Sequence, residues 1–116
     1  MRRGDIYIVN FGKKYNSEFG KLRPALIIQN DIANRNIDKV DFKGVTVIPM
    51  TTNISGGNLR VKVNPRDSLK QISEICINEL CTLDQSRIHL DNLITKLTLD
   101  ELKEVNEKLL KHLALG

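Results

Sequence analysis

Tryptophan is absent from the 116 residues, and only two tyrosines and three phenylalanines are present. A binding face made of many aromatic stacking platforms is therefore excluded. Two cysteines, Cys76 and Cys81, are too few for the disulfide scaffold of a small secreted domain. Five residues apart, they would fall on opposite faces of a regular strand, as buried small hydrophobes or with one exposed thiol. A zinc site needs about four ligands. With two histidines, His89 and His112, and no CxxC or HxxxH spacing, neither zinc binding nor catalysis by a histidine pair has support. No GxGxxG or GxxxxGK[ST] occurs, so nucleotide-dependent chemistry has none either. Apolar runs fall far short of the roughly 18 residues of a membrane helix. Residues 1–5 are basic but lack an apolar segment behind them. A cytoplasmic protein with no membrane partner is the expectation.

The chain is 41% apolar and 28% charged, ordinary values for a globular chain, and its length favours one domain over residues 1–116. Net charge is +4, from 18 Lys and Arg against 14 Asp and Glu. That permits a nucleic-acid or acidic partner without demanding one.

Ile6-Tyr7-Ile8-Val9 is β-branched and aromatic and reads as a first strand. Residues 10–21 read as a long loop holding Phe11, Tyr15 and Phe19. Loops of this length that carry so many rings are either functional flaps or are pinned to the core by those rings. Pro24 opens a second strand, Ala25 to Gln29, whose unbroken apolar run suits burial on both faces. A polar loop follows to about Lys43. Val45 to Ile48 is a third strand ending at Pro49, and residues 51–58 are a turn by composition. Leu59 to Val63 alternates apolar and basic residues, giving a half-exposed strand with a positive outer face. Further strands are expected within residues 72–83, with Ile75 and Ile77 facing one way, and within 88–97.

Thr98-Leu99-Asp100-Glu101 fits a capping box. Leu99, Leu102, Val105, Leu109 and Leu113 then recur at helical spacing, with Glu104–Lys108 and Glu107–Lys111 as stabilising pairs. The expected fold is mainly β with a C-terminal α-helix (α+β): a small barrel over about 1–97 and a helix over about 98–113. Helices do not alternate with strands, so a doubly wound parallel sheet is excluded.

Two short stretches hold side chains suited to phosphate. Arg23 precedes Pro24, which biases its backbone to the extended region and holds it on a rigid strand start, as fixed phosphate contacts require. By position alone a surface ion pair with Glu18 explains Arg23 as well. Thr51 and Thr52 follow the third strand with consecutive hydroxyls, which serve equally as phosphate donors or as ordinary turn residues.

Taken together, these pieces resemble the MazF/PemK (Kid-like) toxins of type II toxin–antitoxin systems. The resemblance rests on Arg3-Gly4-Asp5-Ile6-Tyr7, on Ser17 to Pro24 followed by Ala25 to Asp31, on Pro49-Met50-Thr51, and on Thr82 to Ile88 before the terminal helix. It implies an SH3-like barrel, a homodimer, and metal-independent, cofactor-free cleavage of single-stranded RNA, often messenger RNA, at short preferred sequences. The implied products carry 2′,3′-cyclic phosphate and 5′-hydroxyl ends. The family's catalytic arginine falls on Arg23 and its threonine on Thr51, with Thr52 the neighbouring alternative. Ser17, Glu18, Phe19, Lys21, Thr52 and Glu79 are the implied substrate-binding residues.

Arg23 suits charge developing on the phosphoryl oxygens, and proton donation to the leaving 5′-oxygen is also open to it. A guanidinium stays protonated and is a poor base, so Glu18 and Glu79 are the carboxylates to test for the 2′-proton. Two positions depart from the family pattern: Cys81 stands where many relatives have arginine, and Glu79 where an amide is common. A dimer would carry +8, twice +4, and suit a cognate antitoxin with an acidic, partly disordered segment. A non-enzymatic, CcdB-like toxin that binds a protein such as gyrase, and an inactive dimeric relative, are the competing expectations.

Overall fold

The computed structural model describes residues 1–12 and 22–116. Among these described residues seven strands run in order: β1 (Asp5–Asn10), β2 (Leu22–Ile27), β3 (Gly44–Thr51), β4 (Arg60–Val63), β5 (Ser73–Cys76), β6 (Cys81–Asp84) and β7 (Ile88–Lys96). The described residues also hold two α-helices, α1 (Asp31–Arg35) and α2 (Leu99–His112). All strand pairs are antiparallel, in the order β4-β5-β3-β2-β1-β7, with β6 added beside β3.

The eight-residue β3 explains the curl of this sheet. Its first half pairs with β6 from Gly44 to Val47, and its end pairs with β5 at Met50 and Thr51. Pro49 lies between, where the strand changes partners and a missing N–H leaves no gap in either ladder. The result is the barrel-like, mainly β architecture with a C-terminal helix that the sequence leads one to expect.

Side chains alternate between two cores, as the pleat requires. Ile6, Leu26, Ile48 and Met50 face one, and Tyr7, Val9, Ala25, Ile27, Val45 and Val47 the other. This double burial accounts for the unbroken apolar runs of β2 and β3. Helix α2 covers the first core with Val105, fully buried, and with Leu102 and Leu109 beside it. Burying Val105 alone contributes about 1.5–3 kcal/mol. Of the expected apolar stripe, Leu99 and Leu113 are exposed. Leu99 is the first helical residue, before the helix reaches the sheet. The capping box forms, with Thr98 Oγ1 accepting from Glu101 N at 3.1 Å and Glu101 Oε1 accepting from Thr98 N at 2.8 Å.

Several sequence readings change. Residues 31–35 of the expected polar loop are α1, capped by the Asn30 side chain. Residues 72–83 hold two strands, β5 and β6, separated by a 3-10 turn at Ile77–Glu79. Cys76 and Cys81 therefore sit on different strands, the first buried and the second half-buried. Strand β2 starts at Leu22, so Pro24 lies within it, but pairing with β3 begins only at Ala25.

The residues of the N-terminal Arg-Gly-Asp are structural. Arg3 donates its backbone N–H to Asp31 at 2.8 Å, its Nε to the Ile28 carbonyl at 2.9 Å, and an Nη to Asn106 of α2. Asp5 accepts from Arg2 N at 2.8 Å. One motif thus ties the start of β1 to α1 and α2.

Helix α2 is also fastened in its first turn by a fork. Arg66 Nη1 and Nη2 reach the two Glu101 oxygens at 2.8 and 2.6 Å, and Nη2 also donates to Lys96 O at 2.8 Å. Burial raises the Glu101 pKa, but the Arg66 hydrogen bonds and the Thr98 N–H outweigh it and leave the carboxyl below its ordinary value. A group with a lowered folded pKa contributes stability above its unfolded pKa, and this is lost as pH falls through the folded value. Thermal melts are therefore expected to hold steady near neutrality and fall on the acid side of the carboxylate range. Glu101→Gln should lower the neutral melting temperature and flatten that acid limb. An acid limb as steep as that of the parent protein would show that this pair does not carry it.

Candidate active site

Antiparallel pairing brings the two phosphate-suited stretches together. Ala25 stands opposite Pro49. Continued by two residues, that register sets Arg23 across from Thr51, with both side chains on one face. Arg23 is buried and directs its Nε to the Met50 carbonyl at 3.1 Å, one residue before Thr51. That bond fixes the plane of the guanidinium. The ring of Phe11 stands 5.8 Å from its Cζ, within cation–π range. Its Nη1 meets Glu79 Oε1 at 3.3 Å.

An open cleft of about 230 Å³ lies over this pair. Leu22, Arg23 and Pro24 form one wall, and Met50 to Asn53 with Ser73 form the other. Thr51 is buried, and its Oγ1 accepts the Asn53 N–H at 3.1 Å. A hydroxyl that already accepts still has its proton to give. Thr52 is exposed at the cleft rim. The arrangement offers a forked cation and a hydroxyl around one space, with a carboxylate paired to the cation, groups suited to charge stabilisation and proton removal at a phosphodiester.

The profile of a family described as "PemK-like, MazF-like toxin of type II toxin-antitoxin system" matches residues 2–113. The chain belongs to this family. It is 34% identical to "Endoribonuclease MazF" of Staphylococcus saprophyticus over 109 residues, covering 91% of this chain and 85% of that one. It is 32% identical to "Endoribonuclease EndoA" of Bacillus subtilis over 119 residues, covering 99% and 96%. A solved "Endoribonuclease in complex with its cognate antitoxin from Mycobacterial species" shares the fold, with a TM-score of 0.75, 21% identity, and coverage of 100% and 97%.

In this MazF-like chain, Arg23, Thr51 and Thr52 of the expected site residues line the cleft, and Glu79 joins them only through its ion pair with Arg23. Ser17, Glu18, Phe19 and Lys21 lie outside the described residues. Glu79 also neighbours Cys76: burial first, and then the Glu79 charge, push the Cys76 thiol up to about 11. A thiol held there is inert at neutral pH, which agrees with the reading of Cys76 as a buried small hydrophobe. Among the described residues no three His, Cys, Asp or Glu side chains converge as metal ligands, and no helix is long and apolar enough to cross a membrane.

Sequence reasoning missed Glu74 and Arg60. Glu74 is buried, paired in register with Thr51, and ion-paired with Arg60 at 3.0 Å. The available signal was a lone carboxylate between Ser73 and the apolar residues 75–77, which an alternating pattern passes over as a surface position.

Proposed function

We propose that the chain is a single toxin domain, with a barrel over about 1–97 and a helix over about 98–113, that cleaves single-stranded RNA. The 2′-hydroxyl attacks the adjacent phosphorus, the bond to the 5′-oxygen breaks, that oxygen takes a proton from water, and 2′,3′-cyclic phosphate and 5′-hydroxyl ends result. No water need be activated for this step, so no metal or cofactor is called for. Arg23 stabilises the charge that builds on the non-bridging oxygens, and its fork suits the phosphorane better than a point charge. Thr51 donates to a phosphate oxygen. Glu79 takes the 2′-proton, and Thr52 lies along the substrate's path. Ser17, Glu18, Phe19 and Lys21 are assigned to the flank of the RNA groove.

The observation that carries this reading is the meeting of Arg23 and Thr51 across β2 and β3 in one cleft, with Glu79 paired to the arginine. The relatives named as endoribonucleases support it. The mycobacterial complex supports a cognate antitoxin as partner, one with an acidic segment to match a net charge of +4. A homodimer and a cytoplasmic location complete the proposal.

The test is cleavage of a long single-stranded RNA in EDTA, with products mapped and their ends typed. Discrete cuts with cyclic phosphate ends are expected. A folded protein that cuts none of a varied set of RNAs would overturn the proposal in favour of a protein-binding toxin.

A further inference from the structure

Residues 52–59 connect Thr51 to β4 and begin directly after the proposed phosphate donor, and Thr52 and Asn53 at their start line the cleft. They hold Gly56 and Gly57, both at positive φ, where a side chain would be strained. This loop is fastened from beneath by a single buried carboxylate. Glu74 Oε1 accepts from Ser55 N at 2.9 Å, and Oε2 accepts from Gly56 N at 3.0 Å. Arg60 Nη1 bridges the two sides of the loop, donating to Glu74 Oε1 at 3.0 Å and to the Asn53 carbonyl at 3.2 Å. Asn53 in turn gives its N–H to Thr51 Oγ1. A continuous hydrogen-bonded path therefore runs from Glu74 through Arg60 and Asn53 to the hydroxyl at the cleft floor.

We infer that Glu74 and Arg60 are positioning residues for RNA cleavage: their ion pair holds Asn53 where its N–H fixes Thr51 Oγ1 and leaves that hydroxyl's proton aimed into the cleft. The inference rests on the proposed role of Thr51. Glu74 takes no proton from substrate itself, because Ser55, Gly56 and Arg60 occupy its oxygens beneath the loop. Burial raises its pKa, but the Ser55 and Gly56 N–H groups and Arg60 outweigh this and keep the carboxyl below its ordinary value. The pair is thus charged at working pH. A freed loop lets the threonine hydroxyl turn, and misplacement of a reacting group by about 1 Å can cost on the order of a hundredfold.

The test is a double-mutant cycle read in single-turnover cleavage. Glu74→Gln should lower the cleavage rate about tenfold, with RNA binding changed less than about twofold. In a Thr51→Ala background the same substitution should change the rate less than about twofold, since no hydroxyl is left to position. Equal losses in both backgrounds would overturn the inference, because Glu74 would then act on the fold at large. A wild-type rate in Glu74→Gln would overturn it as well. A wild-type rate in Thr51→Ala alone would instead remove the role assigned to Thr51, and this inference with it. Arg60→Gln, at a half-exposed position, repeats the cycle should Glu74→Gln fail to fold. Arg60→Lys should rescue little, because one ammonium cannot span both Glu74 and the Asn53 carbonyl.

Discussion

Arg23→Ala is expected to lower single-turnover RNA cleavage at least about a thousandfold, while its melting temperature stays near that of the parent protein. Removing one fixed donor to developing charge costs about 10²- to 10³-fold in well-studied active sites, and Arg23 presents a charged fork. Folding should suffer little, for a reason visible in the ion pair itself. Its partner Glu79 has a side chain 33% exposed. Once the arginine is gone, water can solvate that carboxylate. The large penalty of a stranded buried charge therefore does not arise. Arg23→Lys should recover less than about a tenth of the lost rate. Its ammonium cannot both take the Met50 carbonyl, as Nε does at 3.1 Å, and face the phosphate. A wild-type rate in Arg23→Ala would remove the assignment.

How much of this site was legible beforehand depended on whether local pattern or long-range pairing decided each residue. The capping box at Thr98 and Glu101 is local, and it forms as read. Strands β2 and β3 announced themselves through unbroken apolar runs, and burial between two cores is the reason those runs exist. Arg23 and Thr51 taken separately carry no decisive signal, since each has an ordinary surface or turn explanation. Only the register that sets Ala25 opposite Pro49 makes them neighbours, and it was the family pattern that foretold the pairing. Helix α1 was hidden because its five residues lie in a polar stretch with no apolar period to read. Glu74 was hidden for a different reason. A carboxylate is expected outside unless several donors converge on it, and the donors here come from Ser55, Gly56 and Arg60, some 14 to 19 residues away in the chain.

Glu79→Gln is the second substitution with a large expected effect: a fall in kcat of about a hundredfold, the lower end of what a positioned proton acceptor contributes. Removing the 2′-proton needs a base, and the guanidinium of Arg23 is too weak an acceptor to be one. Of the described carboxylates next to Arg23 and Thr51, Glu74 is committed to the loop beneath Ser55 and Gly56. Glu79 stands with Oε1 3.3 Å from Arg23 Nη1 and is partly open to solvent. A phosphodiester that takes over the guanidinium frees that oxygen and brings its own 2′-hydroxyl beside it. Glutamine keeps the shape and a hydrogen-bond acceptor but cannot receive the proton. Single-turnover cleavage should therefore slow in the variant while RNA binding holds, a split that loss of packing alone would not cause. An unchanged kcat with tighter RNA binding would mean the reverse: Glu79 competes with the phosphate for Arg23, and the proton acceptor is then to be sought at Glu18.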